Sequence, residues 1–240
     1  MIKGIYNSGA AMRAGILRQD VTANNLANTS TTGFKQQRFA LEQEVDGRNV
    51  GETRNLLQAV KAAGYVNFSP GPLEATESPL DFALQGPGFF ALADDNGVQF
   101  TRNGRFDRNS EGLLVDADGR RVQGSGGDIT IPPGVITLSD DGTISVDGAA
   151  IDKLRIVEFQ NPQALTKSGN NLFRDELAEA GEIEVARTSV MQGFLEQSNV
   201  DAVREMVEMI ANSRHYEASS RLMTVQDQTL NHVVNDIGRV

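Results

Sequence analysis

Apolar stripes of helical period lie at both ends of this chain, and they limit what it can fold into. At the start, Ile2, Ile5, Gly9, Met12, Ile16, Gln19, Ala23 and Leu26 alternate in steps of three and four. That is the a/d spacing of a helical seam. Tyr6, Ala10, Leu17 and Val21 form a second stripe beside it, so this helix needs more than one neighbour. Gly4, Gly9 and Gly15 weaken it in isolation, each by roughly 1 kcal/mol relative to alanine. The turn formers of Asn28–Gly33 stop it.

The last forty residues predict a second helix. Ser198 or Asn199 is expected to cap it, with Asp201 and Glu205 in the first turn. Val203, Met206, Ile210 and Ser213 set one helical stripe, and Tyr216, Ser220, Met223, Asp227, Leu230, Val234 and Ile237 resume it. No proline follows Pro162, and no glycine lies between Gly193 and Gly238. At 1.5 Å per residue this helix reaches roughly 50 Å, which suits a rod, a bundle or a polymer. Periodicity leaves two readings open: a hairpin packed on its own chain, or helices packed between subunits.

Between the helices the texture is that of hairpins. Short apolar runs such as Gly88–Ala93 and Lys153–Phe159 are separated by Asp95-Asn96-Gly97, Asp118-Gly119, Asp141-Gly142 and Asp147-Gly148. Repeated strand–turn–strand units mean an antiparallel β domain. The fold class is therefore α+β, with terminal helices around a central antiparallel β domain. The expected divisions are an N-terminal helix at 1–33, an extended connector at 34–75, the β-rich domain at 76–185, a return connector at 186–200 and a C-terminal helix at 201–240. The first connector holds a possible short helix at Glu52–Ala63 and the extended piece Ser69-Pro70-Gly71-Pro72.

Composition removes several function classes. The 240 residues include no cysteine, which excludes disulfides, thiol catalysis and cysteine–zinc sites. A net charge of −10 disfavours a general nucleic-acid binder. The first forty residues are the exception, with Lys3, Arg13, Arg18, Lys35 and Arg38 against Asp20 alone. That spread reads as a solvated helix face. The early Arg13, Arg18 and Asp20 interrupt the apolar block a signal peptide needs. No apolar run is long enough for a membrane-spanning helix.

Candidate chemistry is thin. Asp116-Ala117-Asp118-Gly119 resembles part of a calcium loop but lacks the further ligands, and hairpin turns account for it. His215 and His232 lack metal-ligand spacing. No serine lies in a nucleophile elbow, and no phosphate-binding loop is present. A glycosidase carboxylate pair would leave the long terminal helices unexplained. No enzyme, cofactor or metal site is expected.

The segment Ala23–Lys35 (ANNLANTSTTGFK) resembles the signature of bacterial flagellar rod and hook proteins. Leu80–Phe90, Phe100–Phe106, Gly112–Gly124 and Gln192–Glu217 are similar to further blocks of that family, in the same order. The resemblance implies an axial component of the flagellum, exported unfolded through the flagellar type III apparatus. It implies termini that are disordered in the monomer and become helices in a central tube, with the β domain outside. The partners implied are other rod subunits, copies of the same chain and the export apparatus, with no nucleic acid and no membrane insertion. The location implied is the basal body in the periplasmic space. Chain length points to a rod protein of the FlgF/FlgG kind, the proximal-rod type over the distal. On this reading the helices pair in an assembly core. Its packing residues are Ile2, Ile5, Met12, Ile16, Leu26, Val203, Met206, Ile210, Met223, Leu230 and Val234. Asn24, Asn25 and Asn28 hydrogen-bond backbone at the helix end or across subunits.

Overall fold

A computed structural model describes residues 2–43, 60–94, 97–183 and 188–237. The chain divides into two compact units. One comprises 1–27, 37–65 and 201–240; the other comprises 28–36 and 66–200.

The first unit is built on two helices, α1 (Ile2–Ala27) and α2 (Ala202–Ile237). Gly4 faces Gln226, Gly9 faces Met223 and Gly15 faces Tyr216, so the helices run antiparallel. Asp201 caps α2: its Oδ1 accepts from the N–H groups of Val203 at 3.0 Å and Arg204 at 3.2 Å. The expected caps Ser198 and Asn199 lie outside the helix, and the Asn199 side chain is engaged elsewhere, with the backbone of Gln36 and Asn67. Strands Gln37–Gln43 and Val60–Val66 pair as a two-stranded sheet. The possible helix at Glu52–Ala63 is thus replaced by strand from Val60 onward, and its residues 52–59 lie outside the described set.

The second unit is antiparallel β, with Phe89–Asp94 at its centre. This strand pairs with Gly97–Thr101, Arg121–Gly124 and Ile156–Phe159. Its run of apolar residues follows from burial on both faces. Phe90 and Leu92 join one core with Phe82, Leu84, Phe106 and Leu114. Phe89 and Ala91 join another with Phe100, Val157, Phe159 and Phe173. Edge-to-face rings knit the second core, Phe100 lying 4.9 Å from Phe159 and Phe89 5.6 Å from it.

Turn chemistry agrees with the sequence. Asp147 and Gly148 adopt φ of 51° and 84° between the paired residues Val146 and Ala149, as a two-residue I′ hairpin requires. Asp116 Oδ1 accepts from the N–H groups of Asp118 and Arg120, and the carboxylates of Asp116 and Asp118 bind Arg120 at 2.6 and 2.7 Å. Asp95 and Asn96 lie outside the described residues.

The stretch read as a return connector at 186–200 carries two strands. Ser189–Gln192 pairs with Phe82–Gln85, and Phe194–Glu196 pairs with Leu73–Ala75. Both are too short to announce themselves by alternation, and Gly193 with φ of 78° separates them.

Candidate functional site

Two arrangements in this chain have functional shape: the helix surfaces of the first unit, and a buried charged knot in the second.

On the helices, the faces that meet are not the most apolar ones. Among the described side chains of α2 the buried or half-buried positions are Ala202, Glu205, Met209, Asn212, Ser219, Ser220, Met223, Gln226 and Leu230. On α1, Ser8, Thr22 and Asn25 are buried, while Met12, Gly15, Gln19 and Leu26 are half-buried. Of the expected packing residues, Met12, Leu26, Met223 and Leu230 are therefore half-covered within the chain. Ile16, Val203, Met206 and Ile210 are not: Ile16 is 49% exposed, Ile210 56% and Val203 72%. Leu17, Val207, Leu222 and Val225 are also exposed. The side chains of Ile2, Ile5 and Val234 lie outside the described set.

The three asparagines differ in their surroundings. Asn25 is buried and bridges the backbone of Gln37, donating to its carbonyl at 2.8 Å and accepting from its N–H at 2.9 Å. Asn28 Oδ1 accepts the Thr31 hydroxyl at 3.1 Å. Asn24 is exposed on α1.

The second arrangement gathers residues far apart in sequence. Lys35 Nζ lies 2.5 Å from Glu196 Oε1 and donates to the Ser69 carbonyl at 2.8 Å. Arg102 reaches Glu196 Oε2 at 3.3 Å, donates to the Gly86 carbonyl and stacks over Phe89. The Gly71 N–H also donates to Glu196 Oε1. All three charged side chains are essentially inaccessible to water. Burial pulls the Lys35 and Arg102 pKa values below their usual ranges, and Glu196 opposes that pull.

Around this knot the signature segment is clamped. The Gly33 N–H donates to the Glu196 carbonyl at 2.7 Å. Gly33 has φ of 67°, and a Cβ there would collide with the backbone of Asn103, so only glycine fits. Thr32 donates its hydroxyl to Asn103 Oδ1 at 2.9 Å. Asn199 accepts from the Gln36 N–H at 2.7 Å and donates to the carbonyls of Asn67 and Ser69. Sequence reasoning missed Lys35, Arg102, Glu196 and Asn199 as a group. The available signal was a charged residue inside each of the blocks Gly33–Lys35, Phe100–Gly104 and Phe194–Gln197.

Lys167 borders the knot. Its Nζ donates to the Lys35 carbonyl at 3.1 Å and sits 4.5 Å from the Phe34 ring centre. Burial lowers its pKa from 10.5 to about 8. Among the described residues no cluster of three His, Cys, Asp or Glu side chains could hold a metal ion.

Replacing Glu196 by Gln leaves two buried cations without their anion. We expect the second unit to lose about 3–5 kcal/mol, measured as a fall in its urea midpoint. The Lys167 shift has a definite sign. Its folded state binds fewer protons than the unfolded chain between about pH 8 and 10.5. The burial penalty is therefore full below about pH 8 and is relieved as pH rises to 10.5. The stability of the parent relative to Lys167→Met should climb across that window, measured by urea unfolding at fixed pH steps.

Comparison with known proteins follows the same blocks. Residues 5–35 match the family described as flagella basal body rod protein. Residues 83–146 match the flagellar hook protein FlgE/F/G D1 domain, and 191–236 match the flagellar basal body rod FlgEFG protein C-terminal family. The chain is 36% identical to the flagellar basal-body rod protein FlgF of Salmonella typhimurium, covering 95% of each. It is 31% identical to FlgF of Caulobacter vibrioides, covering 96% of this chain and 98% of that one. It is 30% identical to the basal-body rod protein FlgG of Bacillus subtilis, covering 98% and 99%. On this footing, the chain belongs to the FlgF/FlgG family of flagellar basal-body rod proteins.

Proposed function

We propose that this chain is a structural subunit of the bacterial flagellar rod, polymerising through its terminal helices into the axial shaft and export channel. The observation that carries the reading is the uncovered apolar surface on both helices. Ile16 and Leu17 on α1, and Val203, Met206, Val207 and Ile210 on α2, face away from the seam their helices share. A contiguous apolar stripe left in water marks a surface meant for another molecule. Neighbouring subunits cover it in the assembled rod. The packing residues are then Ile2, Ile5, Met12, Ile16, Leu26, Val203, Met206, Ile210, Met223, Leu230 and Val234, with Met12, Leu26, Met223 and Leu230 also serving the hairpin. The chain works mechanically and not as an enzyme, and it reaches the basal body through the flagellar export apparatus. Among the described residues no helix is long and apolar enough to cross a membrane.

Within the family we infer the FlgF type, which occupies the proximal rod. Alignments to FlgF relatives run over 242 to 244 residues, near the chain's own 240. Those to FlgG relatives extend over 257 to 268. A proximal subunit meets unlike neighbours below and above, so its surfaces should propagate poorly alone.

Ile16→Asp and Ile210→Asp each place a charge in the proposed interface, where desolvation costs several kcal/mol. Each variant should abolish motility and incorporation into basal bodies while the β unit melts as in the parent. Normal motility, or a large loss of β-unit stability, would count against the assembly reading. The purified chain should remain short of long filaments at high concentration by electron microscopy. Long homopolymers would sink the proximal assignment and leave the rod reading standing.

A further inference from the structure

The chain passes between its two units four times, after residues 27, 36, 65 and 200. The first passage follows α1 and the last leads into α2. Inside the β unit, the segments next to these two passages are bonded to each other. The Gly33 N–H donates to the Glu196 carbonyl at 2.7 Å, and the Asn199 N–H donates to the Phe34 carbonyl at 3.5 Å. The Gln36 N–H donates to Asn199 Oδ1 at 2.7 Å, and Lys35 Nζ meets Glu196 Oε1.

The order of these bonds fixes a direction. Gly33 meets Glu196 and Gln36 meets Asn199, so the two segments run parallel. A pull through α1 drags the first segment by its N-terminal end. A pull through α2 drags the second by its C-terminal end. In a parallel pair those are opposite ends, so the cross-bonds are sheared together and cannot open one by one. The ladder behind them has the reverse geometry. Leu73–Ala75 runs antiparallel to Phe194–Glu196, with Leu73 opposite Glu196. The same pull would enter that ladder from one end and unzip it. Force arriving at residue 28 meets the parallel segments before it can reach the ladder.

Two features strengthen the arrangement. Asn199 Nδ2 donates to the carbonyls of Asn67 and Ser69, both at 2.9 Å, which also fixes the chain after the third passage. The Lys35 and Glu196 side chains are 1% and 0% exposed, so water does not compete for their bond. The segment 33–36 lies outside every strand, so these bonds, and no ladder, give it its stiffness.

We propose that segments 33–36 and 196–199 form a shear clamp, which keeps the β unit folded when force is applied through the two terminal helices. Its use in a shaft rests on the rod reading above; its mechanical strength does not.

The test is the lifetime of the full-length chain under constant force in optical tweezers, since forced unfolding is governed by the unfolding rate. The chain has no native cysteine, so handles can be placed at will. Ala27→Cys with Arg204→Cys, both exposed, pulls across the clamp and does not depend on the helices being folded. Val135→Cys with Leu177→Cys, also exposed, pulls the β unit along another line. In the first geometry Asn199→Ala should shorten the lifetime about tenfold or more, because several cross-bonds are lost. In the second the change should stay below about twofold, because opening there need not break the clamp first. Gln197→Ala, whose parent side chain binds Glu74 outside the clamp, should match the parent in both. Asn199→Ser repeats the measurement if the alanine variant does not fold. Equal acceleration along both lines would mean an ordinary loss of stability and overturns the proposal. An unchanged lifetime across the clamp overturns it too. Failure of the rod reading would show differently, as absence of the parent chain from isolated basal bodies, with the force measurements unaffected.

Discussion

The Glu196 carboxylate meets Lys35, Arg102 and the Gly71 N–H where water is excluded, and the β unit is organised around that meeting. A charge taken out of water is tolerated only when its partners are close and its remaining lone pairs are used. That requirement ties together the chain following α1, the bend that follows the strand Gly97–Thr101, and the strand Phe194–Glu196. Gly33 binds the Glu196 backbone, and Asn199 binds the backbone of Gln36, so the clamp does not rest on charge alone. The end of the signature segment, Thr32–Lys35, has an internal job: its bonds to Asn103, Glu196 and Ser69 hold parts of the β unit together.

The helical unit inverts the usual economy of an amphipathic helix. Its intramolecular seam is small and polar, with Gly4, Gly9 and Gly15 opposing Gln226, Met223 and Tyr216. The larger aliphatic side chains stand outside. A helix pair built that way holds together weakly, because little apolar area leaves the water when it forms. It gains much more when a neighbour covers the outer stripe. This division of surfaces fits a subunit whose helices are completed by assembly.

Much of the fold was legible because local chemistry repeats. Period in Ile2–Leu26 and in the last forty residues marked both helices, and their boundaries fell close to Ala27 and Ala202. Asp-Gly turns marked the hairpins, since a left-handed turn needs those residues wherever it occurs. Phase was harder. The spacing that selects Val203, Met206 and Ile210 also permits a seam through Glu205, Met209 and Asn212, and hydrophobicity alone prefers the first. The structure uses the second for α1, because glycines in α1 admit large or polar side chains at close range. Short strands such as Ser189–Gln192 were invisible for a different reason: their pairing partners lie about a hundred residues away.

By itself, the sequence determined the α+β class, the two long helices, the hairpin-rich middle and the family resemblance. Each of these is written in residues near one another, as a period, a turn pair or a contiguous block. The tertiary structure alone decided which face of each helix is spent inside the chain, and which charged residues are buried. Lys35, Arg102 and Glu196 look like surface residues in a linear reading, and become a single charged core only when chain separations of 94 and 161 residues close. A charge is stable in the interior through its partner, and a sequence does not say how near that partner will be.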